Sequence, residues 1–244
     1  MLKASLLVVW PTHIDYPYFR WQLGKYGDIF EYIFICLSSS NINPNLEDFL
    51  RQVLPGDVVK PRLKGMDWRD NAVKELIEIA PSPYLLFMEQ DFLMNNYCAV
   101  FESLKEPHDF TFFLEGNRYH PAFSLIKKSL LARTQQNFAA MPPHYDHFGL
   151  FFGEILTAAK TYTSLEGLGL ETPKDYYHLA GLTQNYWNFI NGEQFYKPAE
   201  FLAYNHHCIN LPVQQNPEFL TLMHAIKDKY GSGDREGFIS EFFK

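Results

Sequence analysis

Hydrophobic residues come in short solid runs alternating with helically spaced ones over the first ninety or so positions. Ala4 to Trp10 (ASLLVVW) is a mostly β-branched and aliphatic run stopped by Pro11, the pattern of a strand buried on both faces. Tyr18 to Tyr26 reads as a helix, and Tyr32 to Leu37 (YIFICL) as a second buried strand closed by Ser38-Ser39-Ser40. Asn45 to Leu54 has apolar residues at helical spacing, with Asn45 as a cap and Pro55-Gly56 as the stop, and Val58-Val59 is a short third strand. The clearest helix is Asp67 to Ala80, where Asp67 can cap and Val73, Leu76, Ile77 and Ala80 share one face. Pro81-Ser82-Pro83 ends it, and Tyr84 to Met88 (YLLFM) is a fourth strand.

Strands alternating with helices in this way predict an α/β fold: a mostly parallel sheet flanked by helices, with a smaller C-terminal half built onto it. Ligands of such sheets lie outside the carboxyl ends of the strands. That rule selects Pro11-Thr12-His13, Ser38-Ser39-Ser40 and Glu89-Gln90-Asp91. Further on, Asp109 to Leu114 and Ala122 to Ile126 read as strands, Lys127 to Arg133 as a short helix, Gly149 to Lys160 as a longer one, and Asn216 to Tyr230 as the last helix. With no repeat and no linker-like composition, residues 1–244 read as a single domain with halves 1–133 and 134–244.

Composition narrows the function. The 244 residues are 47% hydrophobic and 20% charged, an ordinary globular balance rather than that of a disordered chain. A net charge of -7 with scattered Lys and Arg argues against nucleic acid as a partner. Cys36, Cys98 and Cys208 form no close pair, so neither a disulfide framework nor a zinc knuckle is legible, and reduced thiols in the cytoplasm are expected. The apolar run before Pro11 is too short for a signal segment or a transmembrane span. Aromatics reach 17%, and Tyr176-Tyr177, Tyr186-Trp187-Asn188-Phe189 and Phe195-Tyr196 offer flat faces with polar rims on which a ring-shaped ligand could stack, although most such residues pack cores.

The strongest chemical feature is Glu89-Gln90-Asp91, two carboxylates directly after a buried strand. Burying them unpaired would cost several kcal/mol, so a cation or an open cleft is implied. Hard divalent ions such as Mn2+ or Mg2+ take oxygen ligands and share them with substrate phosphates, which makes both Glu89 and Asp91 candidate metal ligands. The alternative is that they cap the next helix or pair with Lys or Arg.

In this context the chain resembles the GT-A glycosyltransferases, particularly the family-2-like inverting enzymes, whose nucleotide-binding half has the same strand and helix order. In that family an acid-x-acid element after the fourth strand binds metal and the diphosphate of a sugar nucleotide. Here it is Glu89-Gln90-Asp91, with Glu in place of the usual first Asp. Leu7 to His13 resembles the first strand and the turn that lies against the nucleoside, which assigns Pro11, Thr12 and His13 to the nucleotide. Trp68-Arg69-Asp70-Asn71-Ala72 resembles the stretch opening the helix before the metal motif, where Arg69 and Asn71 would meet the pyrophosphate. Arg69 could instead pair with Asp67 or Asp70. The family's acidic, Gly-containing turn after the second strand is replaced by Cys36 to Ser40, leaving Ser39 as the candidate there. No Gly-rich loop follows Trp10, which separates the chain from nucleotidyltransferases of the same fold.

The likeness is weaker after residue 133. His120 to Ser129 resembles the strand that closes the site over the donor sugar, and Asp146 precedes a helix as the family's catalytic acid does. An inverting enzyme needs a carboxylate base, which makes Asp146 the first choice and Glu154 the second; Asp146 as a helix cap is the alternative. Some members place a late His on the metal, and His206 is the candidate for that role. The resemblance thus implies a metal-dependent transferase acting on a nucleotide diphosphate sugar and a hydroxyl acceptor, either a glycan or a lipid-linked one met at a membrane surface. The rival expectation is a non-catalytic carbohydrate- or nucleotide-binding protein of the same fold.

Overall fold

The computed structural model describes residues 2–10, 26, 29–37, 58–59, 68–89, 92–94, 96–116, 118–138, 148–172 and 174–178. Strand β1 (Leu2–Trp10) pairs in parallel with β2 (Phe30–Leu37) and β4 (Tyr84–Met88), and β2 with β3 (Val58–Val59). Ala4 through Val8 are all buried, because helices of a parallel sheet cover both faces and leave no polar side to alternate with. The sheet continues through β7 (Arg118–Lys127), β6 (Phe110–Glu115) and β8 (Tyr162–Ser164), giving seven strands in the order β3-β2-β1-β4-β7-β6-β8. Only β7 runs against the rest.

Helix α1 (Trp68–Ile79) follows from its spacing: Ala72, Val73, Leu76, Ile77 and Ala80 are buried while Lys74 and Glu78 are exposed. The Ala80 amide makes the last helical bond, to the Leu76 carbonyl at 3.1 Å, and Pro81 has no N–H to continue it. On the same face of the sheet lies α3 (Gly149–Ala158), whose Phe151 and Ile155 join Leu7, Phe87, Phe110, Phe112 and Phe138 in one core. Phe148, just before α3, has φ 67° in the left-handed region, a strained position for a bulky residue. Its ring is held in place by Phe87, Phe138 and Phe151.

Several elements exceed the sequence expectation. Strand β7 begins at Arg118 rather than Ala122, since it keeps pairing with β6 beyond an irregularity. The short helix expected over Lys127 to Arg133 is present as a 3-10 helix over Lys128–Arg133, and Ala159 and Lys160 lie past the end of α3. Helix α2 (Tyr97–Ser103) starts at Asn96, whose side-chain oxygen accepts the Ala99 amide at 3.2 Å. With β8 and the two-residue strands β5 (Phe92–Leu93) and β9 (Tyr177–His178), it is too short to announce itself by periodicity. The expected helices at Tyr18 to Tyr26, Asn45 to Leu54 and Asn216 to Tyr230 lie outside the described residues, except Tyr26, which packs edge-on against Phe30 and Phe101. No helix among the described residues is long and apolar enough to cross a membrane.

Candidate metal centre and cleft

The site is built at the carboxyl end of β4. The Glu89 amide donates to the Ala122 carbonyl at 3.1 Å and its carbonyl accepts from the Phe92 amide at 3.3 Å, so the Glu89 backbone is anchored on both sides. Opposite it, the β6–β7 register breaks. Phe112 pairs with Ser124 but Phe113 pairs with His120, leaving Pro121 to Phe123 without β6 partners. Such bulges bend a strand and redirect its side chains, and here β7 turns its Ala122 carbonyl to Glu89 while still pairing Phe123 with Met88.

The third contributor arrives through the small sheet, where β9 pairs antiparallel with β5 so that His178 stands across from Phe92. Two residues ahead of it hold the segment. Buried Asp175 accepts from Asn96 Nδ2 at 3.1 Å and from the Glu171 amide at 3.0 Å, and its own carbonyl takes the Asn96 amide at 2.9 Å. Tyr176 stacks on Phe92 and donates its hydroxyl to Glu166 Oε1 at 2.7 Å. Burial, then the bond to Glu166, raises the Tyr176 phenol far above its ordinary pKa, so it remains a donor throughout the working pH range. Tyr176 is fully buried and therefore packs the core instead of meeting a sugar.

Glu89, His120 and His178 each offer one donor atom, and all three atoms lie within 4.8 Å of one another. Donors about 2.1 Å from a shared ion stand roughly 3–4 Å apart, so the three would draw together to share one cation. The two imidazole rings are 4.2 Å apart between centroids and tilted by 48°. His120 Nδ1 accepts the Ala122 amide at 3.2 Å, and His178 Nδ1 lies 3.3 Å from Glu115 Oε1 at the end of β6. The carboxylate is a ligand type that Mg2+ and Mn2+ favour, and imidazole one that later first-row metals favour, so the mixed set is compatible with a divalent transition ion.

An open apolar cleft adjoins this cluster and is lined by Leu7, Val73, Phe87, Met88, Glu89, Pro121 and Phe148. Glu89 alone belongs to both the cluster and the cleft. The cleft walls are apolar with one carboxylate at the edge, so the apolar face of a ligand can rest there with a charged portion turned toward Glu89.

Of the residues singled out from sequence, Glu89 sits at this junction. Arg69 and Asn71 lie in the first turn of α1, the helix that also sends Val73 to the cleft. Glu154 is on α3, where its carboxylate accepts the Gln135 amide at 2.8 Å and ties the helix to the preceding loop. Pro11, Thr12, His13, Ser39, Asp91, Asp146 and His206 lie outside the described residues. His178 and Glu115 were not singled out. Their only sequence signal is a His after an aromatic pair and an acid at a strand end, both common.

No protein-family profile matches the chain, and no curated protein matches it in sequence. Solved structures do match. TarS residues 1–349 from S. aureus superposes with a TM-score of 0.50 at 12% identity, over 100% of this chain and 76% of that one. The mannosyltransferase PcManGT from Pyrobaculum calidifontis, in complex with GDP-Man and Mn2+, superposes with a TM-score of 0.51 at 11% identity, over 98% of this chain and 79% of that one.

The chain has a GT-A-type fold. In a GT-A-type fold the sheet order puts the ends of β1 and β4 side by side, and the cleft opens there, lined by Leu7 of one and Phe87 to Glu89 of the other. The residues present can also fit a divalent ion, since a carboxylate and imidazole nitrogen converge at one strand end.

Proposed function

We propose that the protein is a glycosyltransferase that moves a sugar from a nucleotide diphosphate sugar to a hydroxyl acceptor with a divalent ion present, and with inversion. The observation carrying this reading is the position of Glu89, which joins an apolar cleft to the His120–His178 pair at the carboxyl end of β4. The fold neighbour that holds GDP-Man and Mn2+ supports the donor and ion classes. Glu89 and His178, with His120 beside them and Asp91 and His206 as further candidates, would hold the ion. Bound there, it supplies positive charge that stabilises a departing diphosphate.

The protein's own groups do the rest. The nucleoside lies against Pro11, Thr12, His13 and Ser39 at the ends of β1 and β2, and Arg69 and Asn71 meet the pyrophosphate at the start of α1, where the helix dipole adds to the Arg charge. The sugar lies against the cleft between Phe87, Pro121 and Phe148, whose apolar walls can pack on its ring. Asp146, or Glu154 as second choice, takes the proton of the acceptor hydroxyl. The acceptor oxygen then bonds to the anomeric carbon, the bond from that carbon to the diphosphate oxygen breaks, and the diphosphate carries away the electron pair. Acceptors of this chemistry include glycans and lipid-linked sugars.

Calorimetry with UDP, GDP and dTDP sugars in the presence of Mn2+ tests the proposal: one of them should bind, and Glu89→Gln should weaken it. If none binds to folded protein, the transferase reading is lost. Asp91→Asn separates the enzyme from a non-catalytic binding protein, which the Glu at the first acidic position would suit. Metal-dependent turnover should vanish in the enzyme, whereas a binding module would keep its ligand.

A further inference from the structure

His120 and His178 look interchangeable as ligands, yet their hydrogen-bond partners make them different. Glu115 Oε1, 3.3 Å from His178 Nδ1, is a carboxylate oxygen and can only accept. The neutral His178 ring therefore carries its proton on Nδ1 and its lone pair on Nε2, an atom that is itself buried. His120 shows the opposite arrangement. Its Nδ1 accepts the Ala122 amide at 3.2 Å, and a backbone N–H can only donate, so the neutral ring carries its proton on Nε2.

We propose that Glu115 is a positioning residue that makes His178 the imidazole ligand of the centre, while His120 serves as a hydrogen-bond donor beside it and not as a ligand. The inference deepens the metal-assisted reading above and rests on it for its purpose. Glu115 is suited to the role. It closes β6 just beyond the register break, and its side chain is 42% exposed while the His178 side chain is 4% exposed. The carboxylate can thus keep its own hydration and still fix a shielded ring. A carboxylate behind a metal-bound imidazole holds the ring and raises its basicity, and losing such a partner commonly costs about 10–100-fold in metal affinity. The backbone bond to His120 has a different consequence. Turning Nε2 into a lone pair there would move the proton to Nδ1 and set it against the Ala122 amide.

The test uses the full chain and Mn2+ alone, without nucleotide. Pulsed electron paramagnetic resonance of the Mn2+ complex should show one directly bound imidazole nitrogen. The coupling should disappear in His178→Ala and persist in His120→Ala. Calorimetric Mn2+ affinity should fall about 10–100-fold in Glu115→Ala, and Glu115→Gln, whose amide oxygen still accepts from Nδ1, should recover most of it. Melting temperatures of the Glu115 variants should match the wild type, which excludes unfolding as the cause. Two bound imidazoles, a coupling that survives His178→Ala, or an unchanged affinity in Glu115→Ala would each overturn the inference. Sugar-nucleotide binding, measured separately, distinguishes the two readings. Donor binding with the wrong imidazole coupling defeats this inference alone, and the correct coupling with no donor bound defeats the proposed transferase alone.

Discussion

Phe112 and Phe113 are chemically identical neighbours on β6, yet they serve opposite faces of the sheet. Phe112 meets Phe110, Tyr119 and Phe152 in a wall of rings under α3, whereas Phe113 meets Phe92, Tyr176, His120 and His178. Tyr119 and His120 on β7 divide in the same way: Tyr119 stacks on Phe152 at 4.1 Å, and His120 stands 4.2 Å from His178. The first face gains stability from apolar area removed from water. The second also packs aromatics, but it inserts two imidazoles and a carboxylate, groups able to hold a cation. One strand pair can do both because successive side chains point to opposite faces, and because the β7 bulge falls where the polar set begins.

The largest expected effect breaks the apolar face. Phe110→Ala removes a nearly fully buried ring and should lower stability by about 3–5 kcal/mol in urea unfolding. Mn2+ affinity per folded molecule should not change, and a parallel loss would show that the faces are coupled. His178→Ala works the other way: Mn2+ affinity in calorimetry should drop by more than about tenfold, or ~1.4 kcal/mol, with the urea midpoint little moved. Tyr176→Phe is expected to fall between the faces. Losing the hydroxyl bond to Glu166 should cost about 1 kcal/mol of stability and slightly weaken Mn2+ binding through β9.

A smaller effect appears at the far end of β6, where Asp109 accepts from Lys127 Nζ at 2.8 Å and from the Lys160 amide at 3.0 Å. The Lys127 bond, then the Lys160 amide, hold the Asp109 carboxyl below its usual range. Its contribution is thus complete above the unfolded carboxylate pKa of about 3.9 and is lost as pH falls through the lower native value. Lys127, raised by the same bond, contributes fully below its unfolded value and loses that contribution only as pH rises through the raised one. The melting-temperature gap between wild type and Asp109→Asn should therefore be open at neutral pH and close in strong acid. With the Lys127 side chain 43% exposed, the gap should be modest. The smallest change is a gain. Thr111 Oγ1 is buried with no hydrogen-bond partner, so Thr111→Val should raise stability by about 0.5–1 kcal/mol in urea unfolding.

The sheet's parallel half was legible because burial on both faces writes itself as solid apolar runs: Ala4 to Trp10, Tyr32 to Leu37 and Tyr84 to Met88 all lie within observed strands. Glu89 was legible for the complementary reason, as a carboxylate at the end of such a run has to find a cation or an opening. His178 was not legible. Its partners come from two other parts of the chain, Glu89 from the end of β4 and Glu115 and His120 from the β6–β7 hairpin, and no local periodicity records that β9 pairs with β5. Tyr176 shows the same limit, since an aromatic beside a polar residue reads alike whether it faces a sugar or, as here, stacks on Phe92. Local pattern therefore determined which segments become strands and where charge must be resolved. Only tertiary structure decided which histidines meet that charge, because register, bulge and strand pairing are properties of several segments at once.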